Sequence, residues 1–97
     1  MTLSSSSDEF YSKLKTKLEE TSRWPSTYLF KFIVKSDPAK ITKIEFIFNN
    51  MGAVINSTPS KKGTYTSVSI QVEMKNPESV IEKYKQVGNS IDDVISL

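Results

Sequence analysis

The side chains able to recognise or transform another molecule gather in one run, Pro59-Ser60-Lys61-Lys62-Gly63-Thr64-Tyr65-Thr66-Ser67-Val68-Ser69-Ile70. Two ammonium groups stand before a glycine, and Tyr65, Ser67 and Ser69 then recur at every second position. On a strand that spacing puts their hydroxyls on one face. Hydroxyls and a ring can orient a ligand, whereas a serine acting as nucleophile needs a base beside it. The chain has no histidine and no cysteine, which removes imidazole acid–base chemistry, thiolate attack and the usual zinc sites. Lys61 and Lys62 suit an anionic ligand, a phosphate or an acidic partner, and equally a solvated turn whose charge deters edge pairing. The chemistry on offer is recognition; no catalytic residue, metal or cofactor is expected.

Other candidate constellations do not assemble. Glu19-Glu20 and Asp92-Asp93 are sequence neighbours whose side chains point apart on a helix or strand, so neither pair forms a carboxylate dyad. Arg23 is the single arginine, and it lacks the glycine-rich loop that would aim backbone amides at a phosphate, so an acylphosphatase-like enzyme is a remote reading. Lys62-Gly63 opening a strand has the start of an RNA-recognition signature. Threonines Thr64 and Thr66 occupy the positions where stacking rings belong, which leaves nucleic-acid binding a weak alternative. The balance of 13 basic and 11 acidic residues, net +2, also lacks the clustered excess of a dedicated nucleic-acid binder. Asn56-Ser57-Thr58 matches a glycosylation triplet, a chance match without secretion.

Around these residues the alternation and spacing define the elements. Residues 1–7 are rich in serine and read as a flexible tail. Ser6 and Glu9 have capping-box spacing, and Phe10, Leu14 and Leu18 form the narrow stripe of a helix over 8–21. Trp24-Pro25 ends it, Trp24 serving as a packing plug. Residues 27–35 read as a strand whose even members Tyr28, Phe30, Phe32 and Val34 face a core, with Leu29, Lys31, Ile33 and Lys35 opposite. Asp37-Pro38 opens a helix whose stripe runs Ile41, Ile44, Ile47, Phe48 and Met51, with Phe46 outside it and Gly52 as its stop. Residues 53–60 form a weaker edge strand, and Pro59 suits an edge. Gly63 closes a three-residue hairpin loop. Residues 64–74 bury Val68, Ile70, Val72 and Met74. Asn76-Pro77-Glu78 starts a last helix that ends at Gly88-Asn89, and residues 90–97 make a short final strand. The order is the split β-α-β pattern of an α+β ferredoxin-like sandwich, with both of its helices on one face of a sheet ordered 4-1-3-2. The whole of 8–97 is one domain.

Composition agrees. At 97 residues, with 37% hydrophobic and 25% charged residues, the chain is of single-domain size and soluble type. No membrane-spanning run is present, and the opening MTLSSSSDEF lacks the basic-then-apolar form of a signal peptide. With no cysteine the expected compartment is the cytoplasm.

With the elements placed, the chain resembles the YbeD-like family, small bacterial proteins of uncharacterised biochemistry labelled as lipoate-linked regulators. Trp24-Pro25, the run from Pro59 to Ile70, and Tyr84, Gly88, Ile91 and Asp92 carry the resemblance, over roughly residues 14–97; the turn has one lysine more than the family's serine-lysine-glycine form. The resemblance implies an ACT-like ferredoxin fold and no established catalytic residue. The resulting expectation is a non-catalytic regulatory or interaction module. It binds a small metabolite or protein partner through the open sheet face and the 59–70 hairpin, with Lys61, Lys62, Tyr65, Ser67, Ser69, Leu29, Lys31 and Ile33 as contacts. Leu29 and Ile33 on that face ask for cover, from the N-terminal helix, a second subunit in a homodimer, or a ligand.

Overall fold

The computed structural model describes residues 2–96, with side chains from Glu9 onward. Its elements run α1 (Thr2–Thr21), β1 (Ser26–Lys35), α2 (Pro38–Ile47), β2 (Val54–Pro59), β3 (Tyr65–Met74), α3 (Pro77–Ser90) and β4 (Ile95–Ser96). The four strands form one antiparallel sheet ordered β2-β3-β1-β4, the expected 4-1-3-2 order read from the other edge. β1 and β3 are central and pair along their whole lengths, from Ser26 opposite Met74 to Lys35 opposite Tyr65.

The core is built by period-two alternation meeting helical stripes. Phe30, Phe32 and Val34 of β1 and Val68 and Ile70 of β3 are 0% exposed, and Ile44 of α2 with Val80 and Val87 of α3 close over them. Full burial of each such side chain stabilises the fold by about 1.5–3 kcal/mol. Aromatic rings fill the centre: Phe30 lies 4.9 Å from Phe48 and 5.1 Å from Tyr84, centroid to centroid. The Tyr84 hydroxyl, buried at the side of this cluster, meets that of Tyr28 at 2.8 Å.

Three helix ends, the start of β4 and the hairpin loop depart from expectation. α1 begins at Thr2, ahead of residue 8, so the backbone passes through Ser6 as continuous helix and the capping box marks no start. α2 begins as expected, the Asp37 carboxylate accepting from the Ala39 amide at 3.0 Å, but stops at Ile47 before Met51. There the Lys83 ammonium donates to the Ile47 carbonyl at 2.8 Å, and Asn50 and Gly52 take left-handed conformations at φ 63° and 69° to turn the chain away. α3 opens on a full capping box, Asn76 with Ser79, and runs through Gly88-Asn89 to Ser90. The left-handed turn comes at Asp93, φ 58°, so β4 shrinks to Ile95–Ser96 in place of a strand from Ser90; Leu97 lies outside the described residues. The hairpin loop spans Lys61 to Thr64, between Ser60 and Tyr65, and is a residue longer than expected.

α1 packs along α3 through Tyr11, Leu14 and Leu18, and Lys15 pairs with Glu78 at 3.2 Å. The Trp24 indole N–H donates to the Leu18 carbonyl at 3.1 Å, tying the helix end to the core as a plug. The helix therefore joins the helical layer and leaves the other face of the sheet uncovered.

Burial, reinforced by the Tyr28 hydroxyl, pushes the Tyr84 phenol far above its ordinary value of 10.0. Below that value both folded and unfolded chains keep the proton; above it the unfolded chain ionises first, and stability falls as pH rises. Lys83 acts in the opposite sense, since burial holds its ammonium below the ordinary 10.5, but it is only partly buried and shifts less. Urea midpoints should therefore drop above about pH 10, and Tyr84→Phe, costing about 1 kcal/mol at neutral pH, should flatten that drop. Parallel curves for both proteins would refute the coupling.

Candidate functional site

The uncovered sheet face is read directly from the register. Thr58, Ser67, Ile33 and Ile95 make one row across all four strands. Asn56, Ser69 and Lys31 make the next, and Val54, Gln71 and Leu29 the one beyond. Leu29 (57% exposed), Val54 (58%) and Ile95 (51%) are apolar side chains left in solvent on this face, with Tyr65 at 43%. Scattered apolar residues on a surface are ordinary; several on one face of one sheet mark a patch.

At the hairpin end of the face the surface sinks into an open depression of about 530 Å³. Five residues singled out from sequence line it together: Lys31, Ile33, Tyr65, Ser67 and Ser69. Thr58, Pro59 and Ser60 of the neighbouring edge strand complete the wall. Sequence reasoning included the 59–70 hairpin in the surface but named none of these three as a contact, and only the antiparallel register against β3 brings them to it. Lys61, Lys62 and Leu29 stand outside the lining: the lysines occupy the exposed turn beyond Tyr65, and Leu29 lies further along β1.

The hairpin end is held in shape by its own backbone. Ser60 donates its amide to the Tyr65 carbonyl at 2.7 Å, and its hydroxyl accepts from the Tyr65 amide at 3.2 Å. The Gly63 amide donates to the Ser60 carbonyl at 2.9 Å, with Gly63 at φ 77°. Behind the face, the Ser36 and buried Thr66 hydroxyls meet at 2.8 Å, and the Ser36 amide donates to the Thr64 carbonyl at 3.0 Å. The depression is thus framed by fixed strands, which favours a preformed recognition surface.

The lining offers hydroxyl groups, one phenol ring, an apolar floor from Ile33 with Pro59 at the wall, and a single charge, Lys31. This set can orient and hold a ligand by hydrogen bonds and apolar contact. Among the described residues no cluster of His, Cys, Asp or Glu could hold a metal ion, and no helix is long and apolar enough to cross a membrane. Two other depressions are less suited. The groove of about 300 Å³ between α1 and α3 is spanned by the Lys15–Glu78 pair. That of about 510 Å³ beside Phe46 is bounded by α2 and Ser90 and brings together none of the contacts expected from sequence.

The family model described as "Protein of unknown function (DUF493)" matches residues 19–95. The chain belongs to this family. Its relatives include the UPF0250 protein of Enterobacter sp. (strain 638), 30% identical over 79 residues that cover 78% of this chain and 91% of the relative. The UPF0250 protein YbeD of Salmonella arizonae matches to the same extent, and a UPF0250 protein of Photorhabdus laumondii is 29% identical over 79 residues. No solved structure matches. The matched segment contains the whole sheet down to Ile95 and the hairpin run, and excludes most of α1. The family resemblance of the sequence is thereby established, while the lipoate-linked label and the likeness to ACT domains do not follow from it.

Gly63 has no atom near the place where a Cβ would stand, so its requirement is conformational alone. Gly63→Ala should cost about 1–2 kcal/mol through the left-handed backbone. Lys61→Ala with Lys62→Ala should change stability by no more than about 0.5 kcal/mol each. Chemical denaturation of the three proteins decides it, and an equal loss from the lysine variant would give those side chains a folding role.

Proposed function

We propose that the chain is a non-catalytic binding module whose recognition surface is the open sheet face at the hairpin end. The observation that supports this best is the convergence, on one uncovered and rigidly framed face, of exposed apolar side chains with unspent hydroxyls. Folding uses the opposite face of the same strands for the core, and α1, the chain's own spare element, packs on α3. The side chains of the open face are not needed to close the fold. The absence of histidine and cysteine from the sequence supports a role in recognition over catalysis. A cysteine-free chain also fits the cytoplasm as the working compartment.

The occupant is a small metabolite or a protein partner, and two arms of one experiment separate them. In the first, thermal denaturation is followed with lipoate, octanoate and amino acids added, lipoate entering because of the family label. A ligand at a hundred times its Kd should stabilise by about 2.7 kcal/mol. In the second, the immobilised chain and an Ile33→Asp, Ser67→Arg variant are compared for partner capture from a bacterial extract. Either a stabilisation or a capture that the variant loses, while keeping its own thermal midpoint, is the expected result. If wild type and variant give the same outcome in both arms, the open face is not the recognition surface.

A further inference from the structure

We infer that the occupant of the open face is an acidic, extended polypeptide, held by lysines at the hairpin end with an apolar side chain seated between them. This rests on the reading of the open face as a recognition surface and names its partner class. The geometry that points to it is the alternation on β1. Lys31, Ile33 and Lys35 occupy successive positions on the open face, cation–apolar–cation, opposite Ser69, Ser67 and Tyr65. Same-face positions of a strand recur about every 6.8 Å. An extended segment presenting acid–apolar–acid at alternate residues has the same repeat, so its charges and its apolar group fall in register with β1. Ile33 gives the apolar floor with Pro59 at its wall, and Lys61 and Lys62 extend the positive end just beyond Tyr65.

Among the described residues, the cations at this end form no ion pair and can serve an outside partner. The salt bridge among the described residues is Lys15 with Glu78, in the helical layer. Of the nearby carboxylates, Asp37 accepts from the Ala39 amide at 3.0 Å to cap α2, and Asp93 sits in the turn before β4 without an ion pair. Glu73 lies at the far end of the face, opposite Thr27. The face is therefore positive at one end, and such asymmetry steers and selects anionic partners. A single-stranded nucleic acid fits less well. It requires successive rings for its bases to stack on, and Tyr65 is the one aromatic residue that β1, β2 and β3 turn to this face.

The test titrates isotope-labelled chain with a synthetic peptide repeating glutamate-threonine-leucine-threonine, with its lysine counterpart, and with oligothymidylate. Only the glutamate peptide should shift the amides of Lys31, Ile33, Tyr65, Ser67 and Ser69 saturably, and added salt should weaken it. Lys31→Glu with Lys35→Glu should reduce affinity roughly tenfold or more, and the milder Lys31→Gln, Lys35→Gln pair should reduce it less while preserving the thermal midpoint. Any of these results overturns the inference: no saturable shift by the glutamate peptide, equal affinity in the charge-reversed protein, or stronger binding of oligothymidylate. Binding of the lysine peptide on the same residues removes the acidic partner but keeps the recognition surface. Loss of the surface itself is read separately, from capture that does not depend on Ile33 and Ser67.

Discussion

The pairing of β1 with β3 sets everything else in this molecule. Ser26 stands opposite Met74, Lys35 opposite Tyr65, and every pair between is kept without a bulge. Because side chains alternate with a period of two, this register sends Phe30, Phe32 and Val34 to the same side as Val68, Ile70 and Val72. It sends Lys31, Ile33, Ser67 and Ser69 to the other. A slip by one residue would put lysines under the helices and phenylalanines in water. The hydrophobic layer and the candidate site are therefore two consequences of one ladder, and neither can be moved without the other.

The two central strands were the most legible part of the sequence for that reason. Uninterrupted alternation over both strands identifies their faces and implies that the odd set must look outward. Asp37-Pro38 and Asn76-Pro77 were equally legible as helix starts, because an N-cap acceptor followed by proline is a local device complete within a few residues. Helix ends depended on tertiary partners and were not. α2 stops where Lys83, from another helix, reaches the Ile47 carbonyl, and no local signal announces a lysine thirty-odd positions away. Gly88 reads in sequence as a stop, yet α3 passes through it. Its Ile91 amide still finds the Val87 carbonyl at 3.0 Å, and the left-handed residue is Asp93.

The candidate site was legible in half. Residues on β1 and β3 were found because face membership follows from parity. The contribution of β2 was missed because its pattern is weak: Thr58, Pro59 and Ser60 carry no alternation, and only pairing with β3 brings them to Ser67 and Tyr65. Lys61 and Lys62 attract the eye in sequence but occupy the tip of the turn, where Gly63 and the Ser60 hydrogen bonds determine the shape. The position of α1 was not legible at all. Its stripe of Tyr11, Leu14 and Leu18 would suit either layer, and the choice of α3 comes from Trp24 reaching Leu18 and from a complementary stripe across the groove.

Lys31 belongs both to the sheet's architecture and to the candidate site. Among the described residues, the ladder from β1 to β4 holds Phe32 and Ile33, so Lys31 stands at the end of that ladder, where the paired stretch of β1 gives way to one bordered by β3 alone. A lysine on such an edge discourages a passing strand from adding there, because addition would draw its ammonium out of water. The same lysine stands opposite Ser69 and lines the depression. The other side of the strand's alternation is the core, where Phe30 and Phe32 are fully buried, so an edge guard can stand only on the open face, and as a guard alone it needs no neighbour of particular type. Here the guard faces hydroxyls and an isoleucine, and Lys35 repeats it two positions on. In the proposed recognition of an acidic segment, the attraction of that segment and the exclusion of unsuitable strands are the same electrostatic property, exerted on different partners.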